Sequence, residues 1–290
     1  MRLFITALCL IWLQLFWALV PSWRFGEYYE YGWFVPVLAG YLLWQRIQVI
    51  AELPATELLP QPRAAGWLAA VAVLALLLTV PLRFVATADP AWRPPLLLHT
   101  VIVVATTQLL IWKLWGRKVS LSVLPVMVFA LTAVPYPWDF EQALIRKLTG
   151  TVASFAHEMF LMAGRPVELE GERLSIGADV VEVADGCSGI RSFQSLIMVA
   201  FFFGELLLLS IPKRVMLVIV AGACALGVNT LRAYYISEIH FSRGKEAAAS
   251  LHDSIGHLAF LASAAILFAA ARFMLERQPA GRLVVTRSAN

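Results

Sequence analysis

The sequence predicts an all-α polytopic membrane protein of about eight transmembrane helices, interrupted by one small extracytoplasmic insertion made of an amphipathic helix and a β-hairpin. Three observations predict it. The 290-residue chain is 60% hydrophobic and 14% charged, where a soluble domain carries about 25% charged residues. Its mean hydropathy is +0.75, and windows of about 20 residues with few charges recur along it, each long enough to cross a bilayer. Trp23, Trp33, Trp44, Trp67, Trp92, Trp112, Trp115 and Trp138 stand near the ends of those windows, where indole prefers the membrane interface.

The windows run over residues 3–20, 31–50, 65–85, 96–114, 119–137, 187–209, 213–236 and 253–275. Prolines fall at the joints: Pro21, the stretch from Pro54 to Pro62, Pro90 with Pro94-Pro95, Pro135-Tyr136-Pro137, and Pro212. Each removes a backbone donor and disfavours helix before it. The first window reads as an uncleaved span, because Phe16-Trp17 and Trp23 continue where an A-x-A-like cleavage site would stand. The whole of 1–290 reads as one integral membrane domain, ending in a basic cytoplasmic tail over 276–290.

Eight spans put both termini on one side. If that side is the cytoplasm, it holds 12 of the 23 basic residues and 4 of the 19 acidic ones. The strongest votes are Lys113, Arg117 and Lys118 in one short loop and Lys213-Arg214 in another, as the positive-inside rule requires. The same scatter explains the net charge of +4 without a basic patch, so nucleic acid is not an expected partner. The lipid bilayer is.

One long polar segment, 138–186, then faces outward. From Glu141 to Met162 the apolar residues Leu144, Leu148, Val152, Phe155 and Met159 recur at helical spacing. From Val167 to Val183 polar and apolar residues alternate around Gly171, the pattern of a short hairpin or small sheet. The segment ends at Asp185-Gly186-Cys187.

Ionisable groups in or near spans are costly and mark functional candidates. Cys187 opens the sixth span, Arg232 lies near the end of the seventh, and His252 starts the eighth, so topology puts all three at one membrane face. A cysteine at a helix N-terminus meets free amides and the positive dipole end, which favour thiolate. Ser188 and those amides can also receive an oxyanion. Arg232 shares a helical face with Asn229 and offers a fork of donors that stays protonated. His252 can move a proton near neutral pH, and Gly256 one turn on lets a neighbour approach closely. Arg191, four residues after Cys187, is the second candidate cation. His257 competes with His252 from a different helical face, whereas His99, His157 and His240 read as packing or hydrogen-bonding residues. Cys9 and Cys224, within apolar spans, read as small core residues. No zinc-ribbon spacing or disulfide framework is present, and no cofactor is called for.

Three blocks resemble the exosortase/archaeosortase family of membrane transpeptidases: Val183-Ala184-Asp185-Gly186-Cys187-Ser188-Gly189-Ile190-Arg191-Ser192, Asn229-Thr230-Leu231-Arg232, and Leu251-His252-Asp253-Ser254-Ile255-Gly256. Upstream, Tyr31-Gly32-Trp33-Phe34-Val35-Pro36 followed by Tyr41-Leu42-Leu43-Trp44 resembles an early family stretch, with Tyr31 where the family usually has histidine. Val134-Pro135-Tyr136-Pro137 and Gly164-Arg165-Pro166-Val167 resemble the approach to its extracytoplasmic hairpin. The resemblance spans most of residues 28–275. It implies Cys187 as nucleophile, Arg232 as oxyanion or thiolate stabiliser and His252 as general acid/base. The implied substrates are secreted proteins with a C-terminal sorting signal: a Pro-Glu-Pro-like motif, one transmembrane helix and a basic cluster. A surface glycan or lipid amine, a hydroxyl or water would resolve the thioester.

Two rival classes use part of the same chemistry. A membrane metalloenzyme would take Cys187, His252 and His257 as ligands, yet no H-E-x-x-H is present. A transporter or scaffold would tolerate wide separation of Cys187, Arg232 and His252, beyond about 10 Å, out of hydrogen-bond reach.

Overall fold

The structure is a computed structural model that describes residues 2–26, 28–52, 65–183 and 189–276. Helices account for most of it: α1 (Arg2–Phe25), α2 (Val35–Ala51), α3 (Ala65–Ala88), α4 (Pro94–Ala130), α5 (Trp138–Met162), α6 (Ile190–Leu206), α7 (Ile211–Arg243) and α8 (Lys245–Glu276). Three short strands, β1 (Glu168–Glu170), β2 (Arg173–Ile176) and β3 (Asp179–Glu182), lie between α5 and α6. The chain divides into two compact units, residues 1–138 and 139–278.

Among the described residues, five helices are long and apolar enough to cross a membrane, within α1, α3, α4, α7 and α8. α2 and α6, with 17 residues each, reach about 25 Å at 1.5 Å per residue, short of a hydrocarbon core of about 30 Å. The 37-residue α4 is two helical arms. Gly116 sits at φ 89°, ψ 169°, and residues far apart in sequence meet across it: the Gln108 amide donates to Met127 Sδ at 3.4 Å, and Ile111 packs with Val119, Val123 and Met127. The arms correspond to the windows 96–114 and 119–137. Their turn carries Lys113, Arg117 and Lys118, whose charge favours water over lipid.

Pro21 does not end a helix, contrary to expectation; it lies inside α1, as Pro81 lies inside α3 and Pro125 inside α4. Neighbouring helices in a bundle can re-satisfy the freed carbonyl groups. Cys9 is exposed and Cys224 half-buried, so Cys9 is not a core residue of the chain. Trp33, Trp44, Trp67, Trp92, Trp112 and Trp138 are exposed, but Trp23 is 2% exposed and donates from Nε1 to the Ala133 carbonyl at 2.9 Å. Trp23 is therefore an internal anchor rather than an interfacial one.

That anchor joins the two upstream motifs. Glu30–Trp33 form a 3-10 turn, from which Tyr31 donates to the Thr132 carbonyl at 2.9 Å. The Tyr136 amide donates to Tyr29 Oη at 2.8 Å. A Cβ on Gly32 would lie 2.3 Å from the Trp23 ring. Gly32→Ala must therefore displace the indole or lose its bond to Ala133. The expected cost is about 1–3 kcal/mol for overpacking, seen as a lower melting temperature of the detergent-solubilised protein; an unchanged melting curve would contradict it.

The second unit begins with α5 and the sheet. The strands form an antiparallel three-stranded meander, β1-β2-β3; of the two forms expected, it is the small sheet, one strand more than a hairpin. Two-residue loops join them, each led by a glycine with positive φ, Gly171 at 65° and Gly177 at 62°, the pattern of type II′ turns. Leu174 stands opposite Leu169 and Val181, giving one apolar face that packs with Val183 on Val152, Ala153, Ala156 and Phe160 of α5 and Ala233 of α7.

The residues of α5 buried within the protein share only Val152 with the apolar stripe of Leu144, Leu148, Val152, Phe155 and Met159. Ile145, Thr149, Val152, Ala153, Ala156 and Phe160 are buried, whereas Phe155 is 51% exposed and Leu144, Leu148 and Met159 are half-buried. The face toward the sheet combines Ala153 and Ala156, which admit a close approach, with Val152 and the fully buried Phe160. α6, α7 and α8 pack through Leu196, Ala200, Leu217, Ala221, Leu267 and Ala271. At one end of these helices Glu205 is ion-paired with Arg214, and Lys213 donates to the Met274 carbonyl.

Candidate active site

α7 and α8 form a helical hairpin around Gly244, at φ 89°. Both run further than the hydropathy windows: α7 continues to Arg243 and α8 starts at Lys245. Arg232 and His252 therefore lie inside the hairpin rather than at helix ends. The windows stop early because Glu238 to His252 is rich in polar residues, which lower hydropathy without breaking a helix.

Across the hairpin, Arg232 Nη2 donates to His252 Nε2 at 2.8 Å. Because a guanidinium only donates, Nε2 is the acceptor, and the ring proton belongs on Nδ1. Nδ1 lies 3.2 Å from the Asp253 carboxylate, which is 91% exposed. The network so assigns the tautomer: Nδ1–H to Asp253, and the Nε2 lone pair to Arg232.

Gly256 lies under the guanidinium; a Cβ there would be 3.5 Å from Arg232 Cζ and Nη2. Arg232 Nε is buried and meets no hydrogen-bond partner among the described residues. A buried, unmatched N–H costs about 1–3 kcal/mol and is a donor in reserve.

Asn229, one turn before Arg232, is buried. Gly189 packs directly on it: a Cβ at Gly189 would lie 2.7 Å from Asn229 Cγ and Nδ2. Gly189 is the N-cap of α6 at φ 77°, and its carbonyl accepts from the Phe193 amide at 2.7 Å. The residue that follows the 184–188 segment is thus held against α7, one helical turn from Arg232.

Cys187 and Ser188 lie outside the described residues, as does the expectation that Cys187 opens a helix. α6 begins at Ile190, after the Gly189 N-cap. Arg191 is exposed in the first turn of α6. His257 is exposed on α8. His157 contacts the Val167 carbonyl at 3.0 Å, and His240 Nε2 lies 3.4 Å from Asp179, as expected of hydrogen-bonding residues. His99 is fully buried, and neither ring nitrogen meets a partner among the described residues. No three His, Cys, Asp or Glu side chains among the described residues are grouped for a metal ion.

A residue that site reasoning passed over is Arg165. It pairs with Glu238 of α7 at 3.1 Å, tying the Gly164-Arg165-Pro166-Val167 motif to the helix that carries Arg232. Only its place in a family-like motif signalled it.

The fold and these side chains define a polytopic membrane protein with an arginine–histidine pair one helical turn from Asn229, the residue on which Gly189 rests. The model of the transmembrane exosortase family matches residues 23–269, and the chain belongs to that family. Membership makes it a membrane transpeptidase of the exosortase type. No curated protein and no solved structure matches the chain.

Proposed function

We propose that this chain cleaves the C-terminal sorting signal of secreted proteins through a thioester on Cys187 and transfers the product to a surface acceptor. The observation that carries it is the 2.8 Å contact of Arg232 with His252, one turn from the helix position on which Gly189 rests. The chain is read as eight-spanning in a cytoplasmic membrane, both termini cytoplasmic and the site at the extracytoplasmic face. Supporting that orientation are Lys213 and Arg214 at the opposite end of α7 from Arg232.

The chemistry follows from the tautomer. His252 Nε2 takes the Cys187 thiol proton as the thiolate forms. Protonated Nε2 becomes a donor and can no longer accept from Arg232, so the guanidinium is released to face the new negative charge. The thiolate attacks the scissile carbonyl carbon, and the resulting oxyanion is met by Arg232, with Nε–H and Nη2–H as donors. Collapse breaks the C–N bond; the leaving amine takes the proton from His252, and the acyl group remains on sulfur. An amine, hydroxyl or water then gives its proton to His252 and attacks the thioester, and collapse returns the thiolate. Asn229, Gly256 and Ser188 shape the site, and Arg191 is the alternative to Arg232 as the stabilising cation.

The test is intact mass of the full-length protein purified after co-expression with a sorting-signal substrate. A covalent adduct of the mass of the substrate's N-terminal product, on Cys187 and labile to hydroxylamine, is expected. An adduct on another residue, or hydroxylamine-resistant attachment, would overturn the assignment. So would substrate cleavage that survives complete alkylation of Cys187.

A further inference from the structure

Among the described residues the sheet ends on β3, and no strand pairs with its outer edge. The Val183 amide donates to the Glu172 carbonyl at 2.9 Å, and the register pairs Val181 with Leu174 and Asp179 with Ile176. In an antiparallel ladder bonded and non-bonded pairs alternate. Asp179, Val181 and Val183 therefore turn their backbone groups toward β2, and Val180 and Glu182 turn theirs outward. Among the described residues no backbone group meets the Val180 or Glu182 amide.

Proteins normally protect such an edge or use it. Beside this one is an open cavity of about 360 Å³, bounded by Val181, Glu182 and Val183 on one side and by α7 and α8 on the other. His252 is part of its wall. Ala233, Ile236 and Ala248 form an apolar lining of small and medium side chains. A helix with side chains is about 10–12 Å across, too wide for so small a space, whereas an extended chain needs only about 5 Å from its neighbour strand.

We propose that the cleft holds the substrate segment next to its scissile bond as an extended strand added to the free edge of β3, with small side chains turned toward Ala233 and Ala248. This rests on the peptide-cleaving reading of the site and adds how the peptide is gripped. β3 continues through Val183 into the segment that bears Cys187, so a strand paired with it is led toward that segment past His252. Backbone pairing supplies affinity without demanding particular side chains, and the cleft restricts alternate positions. A further consequence is that the transmembrane part of the substrate needs no contact with β3; only the extended segment does.

The experiment uses full-length wild-type protein in detergent and a synthetic peptide spanning the cleavage site of a processed substrate. Each backbone amide is replaced in turn by an ester, which deletes one N–H and keeps the side chain. The expected profile alternates: esters at every second residue raise the half-saturating concentration roughly three- to tenfold, the cost of about one hydrogen bond, and the intervening esters change it less than twofold. A flat profile, or equal sensitivity at consecutive residues, would overturn the strand-addition proposal. On the enzyme side, Glu182→Pro removes the outward amide and should raise the same concentration by a similar factor, whereas Glu182→Gln should not. If Glu182→Pro fails to fold, the ester series on the wild-type protein decides. A Cys187 adduct together with a flat ester profile removes only the grip; absence of the adduct removes the cleavage reading itself.

Discussion

Arg232→Gln is expected to slow substrate processing by about 10²–10³-fold, the usual cost of deleting one donor aimed at a developing oxyanion. The size of the effect follows from where the side chain sits. Its Nη2 is bonded to His252 at 2.8 Å, and its Nε is buried without a partner among the described residues. Glutamine removes the charge and can supply at most one of these two donors in place. Arg232→Lys keeps the charge as a point on a flexible stem and cannot hold His252 while presenting a second fixed N–H. It should recover no more than about a tenth of the wild-type rate, by the same donor argument. The measurement is the initial rate of processing in membranes, normalised to the amount of enzyme. A glutamine variant within threefold of wild type would remove Arg232 from the chemistry and bring Arg191 forward. A variant that accumulates poorly is separated from a catalytic defect by its melting curve, because the hairpin also packs through residues remote from Arg232, such as Leu217 and Leu267.

Much of the fold could be read from apolar windows, because in a bilayer hydropathy and helix length are tied by one thickness. The two arms of α4 and the break at Gly116 between them lay where charge and apolar length had put a turn. What could not be read was rotation and extent. The apolar stripe of α5 through Phe155 could not tell which of its residues meet protein, because residues that face lipid are apolar too. α7 and α8 outrun their apolar windows because Glu238, His240, Arg243 and Lys245 continue the helices with polar residues. That extension turns Arg232 and His252 from helix ends into partners across a hairpin, a relation that separation in sequence does not reveal. The pairing of Gly189 with Asn229 was equally hidden: both residues stood in family-like blocks, but only packing shows that one rests on the other.

Gly189→Ala is expected to lower processing by more than about 100-fold, since displacements near 1 Å at a reacting centre cost that much. Two penalties fall on this one methyl group. At φ 77° an L-residue pays about 1–2 kcal/mol for left-handed backbone. The new Cβ would also lie 2.7 Å from Asn229 Cγ and Nδ2, so either Asn229 or the start of α6 must move. Asn229 is buried and one turn from Arg232, and the backbone just before Gly189 leads from Cys187. Either movement therefore changes the relation between the thiol-bearing segment and the arginine. The two penalties can be separated by pairing Gly189→Ala with Asn229→Gly, which removes the collision and keeps the backbone strain. If collision is the larger cost, the double variant processes substrate faster than Gly189→Ala alone and melts at a higher temperature. Equal rates for the two would assign the loss to backbone conformation. A Gly189→Ala enzyme with wild-type rate would show that this close approach does not position the cysteine segment, and the geometric support for a joint Cys187, Arg232 and His252 site would then rest on the arginine–histidine contact alone.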